Sequence, residues 1–238
     1  MTLLSVVRDV AAVVGVAQPS SVFSGITSNR TMAEMLSLAN ESAQRIAYNQ
    51  REWSKLKKTV TYTGDGTTTA FNLPADYKRM LLTGNVWRST SQIQPMTFIP
   101  DTDQWLNRRA GYLGGVPGAW GEWTMYGGQI HIFPAMSASE TAYFAYLHKN
   151  CVALLSGGLG DVFQNDADAF VLNERLQKLD MIWQWLAQKG APYQEHMNNY
   201  TDALSYEMGT DGPAPILVGR MPISSSANVA YPWMAPTP

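Results

Sequence analysis

TMAEMLSLANESAQRIAYNQREWSKLK, residues 31–57, runs straight into KTVTYTGDGTTTAFNLP, residues 58–74, and the change of rhythm between them decides the fold class. In the first stretch Met32, Met35, Leu36, Ala39, Ala43, Ile46, Trp53 and Leu56 recur at helical steps, while Glu41, Gln44, Arg45 and Arg51 fall elsewhere. One stripe is therefore apolar. Thr31 and Glu34 have the T-x-x-E spacing of a capping box. The pattern predicts a helix over 31–57, about 40 Å long at 1.5 Å per residue. A helix of that length in a small protein packs against others like it. From Thr59 the residues alternate and are β-branched. Gly64-Asp65-Gly66 reads as a turn, Thr67–Leu73 as a returning strand, and Pro74 as its end.

Downstream, Val86–Arg88 and Met96–Phe98 read as short strands, and Asp101 as the cap of a short helix through Trp105 to Arg108. Trp120–Tyr126 and Gln129–Phe133 form a hairpin across Gly127-Gly128, a tight-turn dipeptide. Thr141–Leu147 is expected as the last strand, with Tyr143 and Phe144 on opposite faces. Ser156–Gly160 reads as a flexible joint. Helices then resume. Leu172, Leu176, Leu179, Trp183 and Leu186 make one seam, ended by Gly190. Pro192 starts a second helix on Tyr193, Met197, Tyr200, Leu204 and Met208, ended by Gly209. So short a link implies an antiparallel hairpin. Upstream, Leu3, Leu4, Val7, Val10, Ala11 and Val14 share a face of a helix that stops at Gly15. A secretory leader is disfavoured there, because Arg8 and Asp9 interrupt the apolar run and no basic cluster precedes it.

The expected fold is α+β. Residues 1–58 and 159–211 form a bundle of three or four long helices, and 59–158 a β-rich insert between the second helix and the C-terminal hairpin. Residues 212–238 differ from both. They hold six prolines, one charge (Arg220) and no acid, yet many apolar side chains. Solvated tails are poor in aromatic and β-branched residues. The segment reads as an extended arm, docked on a neighbouring subunit or folded back on its own domain. Fully extended it reaches roughly 90 Å.

Composition narrows the function. Charged residues are only 15% of the 238, aromatics 11%, with eight Trp. That is the make-up of a chain that covers its surface with partners. The net charge of −2 gives no global field for wrapping nucleic acid. One cysteine excludes an internal disulfide and multi-cysteine zinc sites. No run of about 18 apolar residues exists to span a membrane. Nucleotide-binding glycine loops, metal-spaced histidines and a nucleophile elbow are missing from the sequence, so no cofactor is expected. His131 reads as structural and Cys151 as an inert thiol. Asp161, Asp166, Asp168 and Glu174 gather near a helix start, where acids cap backbone donors and meet the dipole. Arg45, Arg51, Lys55, Lys57 and Lys58 make a basic helix end. Cations are ordinary there, and Arg51, Lys55, Lys57 and Lys58 also suit the lining of a DNA passage.

The order of elements meets a set of strings: Leu73-Pro74-Ala75-Asp76-Tyr77, then Gly128-Gln129-Ile130-His131-Ile132-Phe133-Pro134, then Tyr143-Phe144-Ala145-Tyr146. After them come Asp166-Ala167-Asp168, Asn173-Glu174-Arg175-Leu176, Trp183-Gln184-Trp185, Lys189-Gly190 and Tyr193. In this order, over about 30–205, the chain resembles the head-to-tail adaptor (head completion or connector) proteins of tailed bacteriophages. Asn173 stands where an acid is expected before Glu174. The resemblance implies a virion protein of the head–tail junction, made in the host cytoplasm. It implies a homo-oligomeric ring, usually of twelve copies, beneath the portal, extending the DNA channel and receiving a tail or nozzle protein. It also implies that the C-terminal helix and tail engage the portal or a neighbour. The assigned residues are Tyr193, Tyr200, Ile216, Leu217, Met221, Ile223, Tyr231, Trp233 and Met234. Trp87, Trp120 and Trp123 fall to the tail-facing side. Two other readings remain: a carbohydrate-binding or fibre-type module stacking sugars on Trp120, Trp123 and Tyr126, and a cell-wall glycosidase with Glu122 in a carboxylate pair.

Overall fold

A computed structural model describes residues 1–25, 29–90, 94–110 and 120–212. The fold is mixed α+β, with five α-helices and several small sheets among these residues.

Helix α1 spans Leu3–Val14. Thr2 and Ser5 cap it reciprocally, and Gly15 closes it in the left-handed conformation at φ +74°. Leu3, Val6, Val7, Val10 and Ala11 are its buried face, with Leu4 and Val14 half-buried beside them.

Helix α2 spans Arg30–Tyr48 and departs from the sequence expectation at both ends. Asn29, not Thr31, is the cap: its side chain accepts from Thr31 N at 3.0 Å. Glu34 instead pairs with Arg30 and with Lys189, at 2.7 Å each. The helix stops nine residues short of Lys57, because Trp53 folds back and its Nε1 donates to the Ile46 carbonyl at 2.7 Å. Ile46 and Trp53 are seven apart, so both helical and folded-back arrangements bring them together, and the apolar pattern alone reads through the break. A 3-10 turn at Ser54–Leu56 then leads into strand β1, Lys57–Thr63.

Strand β8, Thr141–His148, is the centre of the first sheet. It pairs along its length with β1 on one side, and with β3 (Tyr77–Met80) and β4 (Trp87–Arg88) on the other. The second sheet has the order β2 (Ala70–Asn72), β7 (Gln129–Phe133), β6 (Glu122–Tyr126), β5 (Thr97–Phe98). The β6–β7 hairpin turns at Gly127 and Gly128, both at positive φ, as the dipeptide predicts. The hairpin expected over 59–73 does not form. β1 faces β8 (Val60 opposite Phe144) and β2 faces β7 (Phe71 opposite Ile130). The intervening turn carries the chain from one sheet to the other. Asp65 accepts from Thr67 N and Thr68 N, while Gly64 N and Gly66 N donate to the Glu140 and Met136 carbonyls. Between the sheets lies a core of Val86, Met96, Trp123, Ile130, Ile132, Met136, Ala142, Phe144 and Tyr146. Helix α3, Thr102–Ala110, sets Trp105 edge-on to Phe133.

Three two-residue strands follow: β9 (Val152–Ala153), β10 (Leu159–Gly160) and β11 (Ala169–Phe170), in the order β10-β9-β11. Two expectations are corrected here. Thr141–Leu147 is not the last strand, and Ser156–Gly160 is no loose joint but a β9–β10 hairpin turned at Gly157 and Gly158.

Helix α4, Glu174–Gln188, is packed by α1, α2 and α5 (Gln194–Thr210). It therefore buries more than the one seam the leucines mark: Gln177, Asp180, Met181 and Gln184 are inside as well. Asp180 is held there by Arg45, Trp183 Nε1 (3.0 Å) and Gln184 Nε2 (2.6 Å). Burial raises its carboxyl above the ordinary range, against the pull of Arg45. Helices α4 and α5 are antiparallel. Asn173 at the start of α4 donates to Glu207 near the end of α5, and Trp183 lies beside Tyr193 and Tyr200. Helix α5 continues past Gly209 to Thr210, so that glycine does not end it.

Candidate interaction surfaces

The acids at 161–174 are ties, and they do more than cap one helix. Asn173 is the cap of α4. The Asp166 carboxylate accepts from Val22 N and Phe23 N, and its carbonyl accepts from Leu4 N. Asp168 accepts from Leu155 N, Gln164 N and Asn165 N, and its carbonyl from Leu3 N. Glu174 accepts from the Met1 amino group. Among the described residues no group of three metal-ligating side chains comes together.

The basic residues separate. Arg51 donates to the Met208 and Asp211 carbonyls and lies 3.5 Å from the Asp211 carboxylate. Lys58 pairs with Asp76 at 2.6 Å. Burial raises the Asp76 carboxyl, but Lys58 and the Tyr146 hydroxyl outweigh it, and the group titrates below its ordinary range. Lys55 and Lys57 are exposed, and Lys55 borders a cavity with Trp53, Leu176 and Asp211.

The aromatic candidates also differ in access. Trp123 is 5% exposed and packs on Phe98 with ring centres 4.5 Å apart. It is therefore not part of an open sugar-stacking platform with Trp120 and Tyr126. Trp87 and Trp120 are half-buried. Tyr193 is 38% exposed at the N-cap of α5, whereas Tyr200 is 6% exposed within the helical core. Burial pushes the Tyr200 hydroxyl up to about 12. Ile216, Leu217, Met221, Ile223, Tyr231, Trp233 and Met234 lie outside the described residues. Glu122 is buried and ion-paired with Arg108. His131 is buried and stacked on Tyr126, and burial lowers its pKa. Cys151 is buried, and its thiol is pushed up to about 11, chiefly by that burial.

Among the described residues, sequence reading did not single out several exposed apolar side chains: Leu82, Tyr206, Leu155, Leu106 and Phe98. For Tyr206 a signal exists, since it is an aromatic residue off the 193-197-200-204-208 stripe of its own helix.

The carboxylates of Asp166, Asp168 and Glu174 are occupied, while Leu82, Leu155 and Tyr206 face solvent. A model of the SU10 adaptor protein family matches residues 1–216, and the chain belongs to that family of phage head-to-tail adaptors. The match takes in the N-terminal helix, which the resemblance over 30–205 had left out. No curated protein matches the chain. No helix among the described residues is long and apolar enough to cross a membrane.

Proposed function

We propose that the chain forms a homo-oligomeric ring, twelve copies in the form usual for such adaptors, beneath the portal. The ring extends the DNA channel and presents the docking surface for a tail or nozzle protein. Genomic DNA passes through without sequence-specific contact. The observation that carries this reading is the adaptor-family match over 1–216. The low charge content and the exposed apolar side chains support it. A closed ring gives every subunit two unlike flanks to cover.

In this reading 1–58 and 159–211 form the helical unit, 59–158 is the insert turned outward or toward the tail, and 212–238 is the docking arm. Tyr193 and the arm residues from Ile216 to Met234 grip the portal or a neighbour. Trp87 and Trp120 face the tail side, and Trp123 packs on Phe98. Lys55 and Lys57 are offered to the DNA, while Arg51 and Lys58 are already neutralised by acids.

The test is mass photometry and negative-stain imaging of the protein mixed with its portal. The full chain adds a discrete ring to the portal, and a chain lacking 212–238 does not. Binding of the shortened chain at full strength overturns the role given to the arm. Failure of the full chain to join portal overturns the adaptor placement itself.

A further inference from the structure

Helix α5 is thinly covered. Of its seventeen residues only Tyr200, Ala203 and Leu204 are buried. Between α4 and α5 a groove of about 500 Å³ is bounded by Arg175, Leu179, Asn199, Asp202, Ala203 and Tyr206. Tyr206 is 69% exposed and stands at this groove with no aromatic neighbour among the described rings. A lone tyrosine ring beside a leucine and an alanine is an anchor lacking its counterpart. Asp202 of α5 and Arg175 of α4 both line the groove, while Glu207 is taken up by Asn173.

The chain's own segment PAPILVGRMPISSSANVAYPWMAPTP, 213–238, matches that surface in chemistry. It is apolar, holds no acid, and has one cation, Arg220, to set against Asp202. Its length allows about 85 Å of reach. Its point of departure is fixed. Arg51 Nη2 donates to the Asp211 carbonyl at 2.8 Å, and Ser54 N donates to the Asp211 carboxylate at 3.0 Å, fastening the end of α5 to the start of β1. Tyr206 lies back along the helix from this exit by about 8 Å at 1.5 Å per residue. With about 85 Å of reach the segment can extend past its own groove to the same groove of the next subunit in the ring.

We propose that the α4–α5 groove receives the apolar segment 216–234 of a second copy of this chain. This rests on the ring reading above and names the contact that links one subunit to the next. Arg220 of the incoming arm pairs with Asp202, and its aromatic residues pack on Tyr206 and Leu179.

The experiment uses full-length chain with the photo-crosslinker p-benzoylphenylalanine at position 206. Light and ¹⁵N-labelled chains are mixed in equal amounts, alone and with portal, and the crosslinked peptides are read by mass spectrometry. Peptides from 213–238 are expected on position 206, with mixed-isotope pairs as abundant as random pairing requires. Crosslinks only within one isotope, only to portal, or absent in both samples overturn the proposal. In parallel, a Tyr206→Ala, Asp202→Ala chain should self-associate at least about tenfold more weakly, while a Glu41→Gln chain is unchanged. Equal weakening in the Glu41→Gln chain also overturns it. Rings on portal with own-chain crosslinks leave the adaptor placement standing and remove this contact. Mixed crosslinks without rings do the reverse.

Discussion

Asp168 presents 1% of its surface to solvent, and its carboxylate accepts from three backbone amides at 2.7–2.8 Å. Asp168→Ala takes the acceptor from three part-buried N–H groups. The expected cost is about 1–3 kcal/mol, read as a lower urea midpoint with an unchanged slope. Gly64 is constrained in another way: an added Cβ would sit 2.5 Å from Met136 Cβ and 2.5 Å from the Ser137 carbonyl. Backbone must move to admit it, so Gly64→Ala is expected to lower the melting temperature by several degrees despite the site's position in a turn. Glu140 sets part of the acid limit. Burial raises its pKa, but Thr90, Arg88 and Ser137 N together hold it below its ordinary 4.5. A carboxylate depressed in the folded state stabilises above its unfolded pKa, and that contribution is lost as pH falls through the folded value. Stability therefore declines below about pH 4.5, and in Glu140→Gln the decline is shallower while stability at pH 7 is lower.

At the scale of elements, α2 shows what a sequence pattern carries and what it omits. Its apolar stripe is plain, because burial against α4 demands helical spacing. Its ends are set by single hydrogen bonds, from Thr31 N to Asn29 and from Trp53 Nε1 to Ile46, which leave no periodic trace. Asn29→Ala should cost about 1 kcal/mol and Thr31→Ala much less, a difference that urea titration of the two variants resolves. The reverse order would restore Thr31 as the cap. The strands show the same division. The β6–β7 hairpin is local and was legible from Gly127-Gly128. The partners of β1 and β2 lie 57 to 90 residues away, and alternation along a strand does not name them. Among the surface candidates, Tyr193 reads as the first residue of the α5 stripe but is the exposed cap before that helix. Trp123 could not be told from an exposed Trp, since the Phe98 that covers it comes from another strand.

On the scale of the whole molecule, the helices of 1–58 and 174–210 share one core and the two larger sheets another, and β8 lends Leu147 to the first and Phe144 to the second. Among the described residues neither core includes one beyond 208. In the docking-arm reading, a chain ending at Gly212 should melt cooperatively within a few degrees of the full chain by circular dichroism. A shortened chain that is unfolded would show that the arm completes a core. The knots that fasten α1 have a consequence for biosynthesis. Leu3 and Leu4 donate to carbonyls at 168 and 166, and α1 packs on a helix that begins at Glu174. A ribosome adding about 5–20 residues per second finishes α4 roughly 10–30 s after α1. For that interval the greasy face of α1 is without the seat it finally occupies.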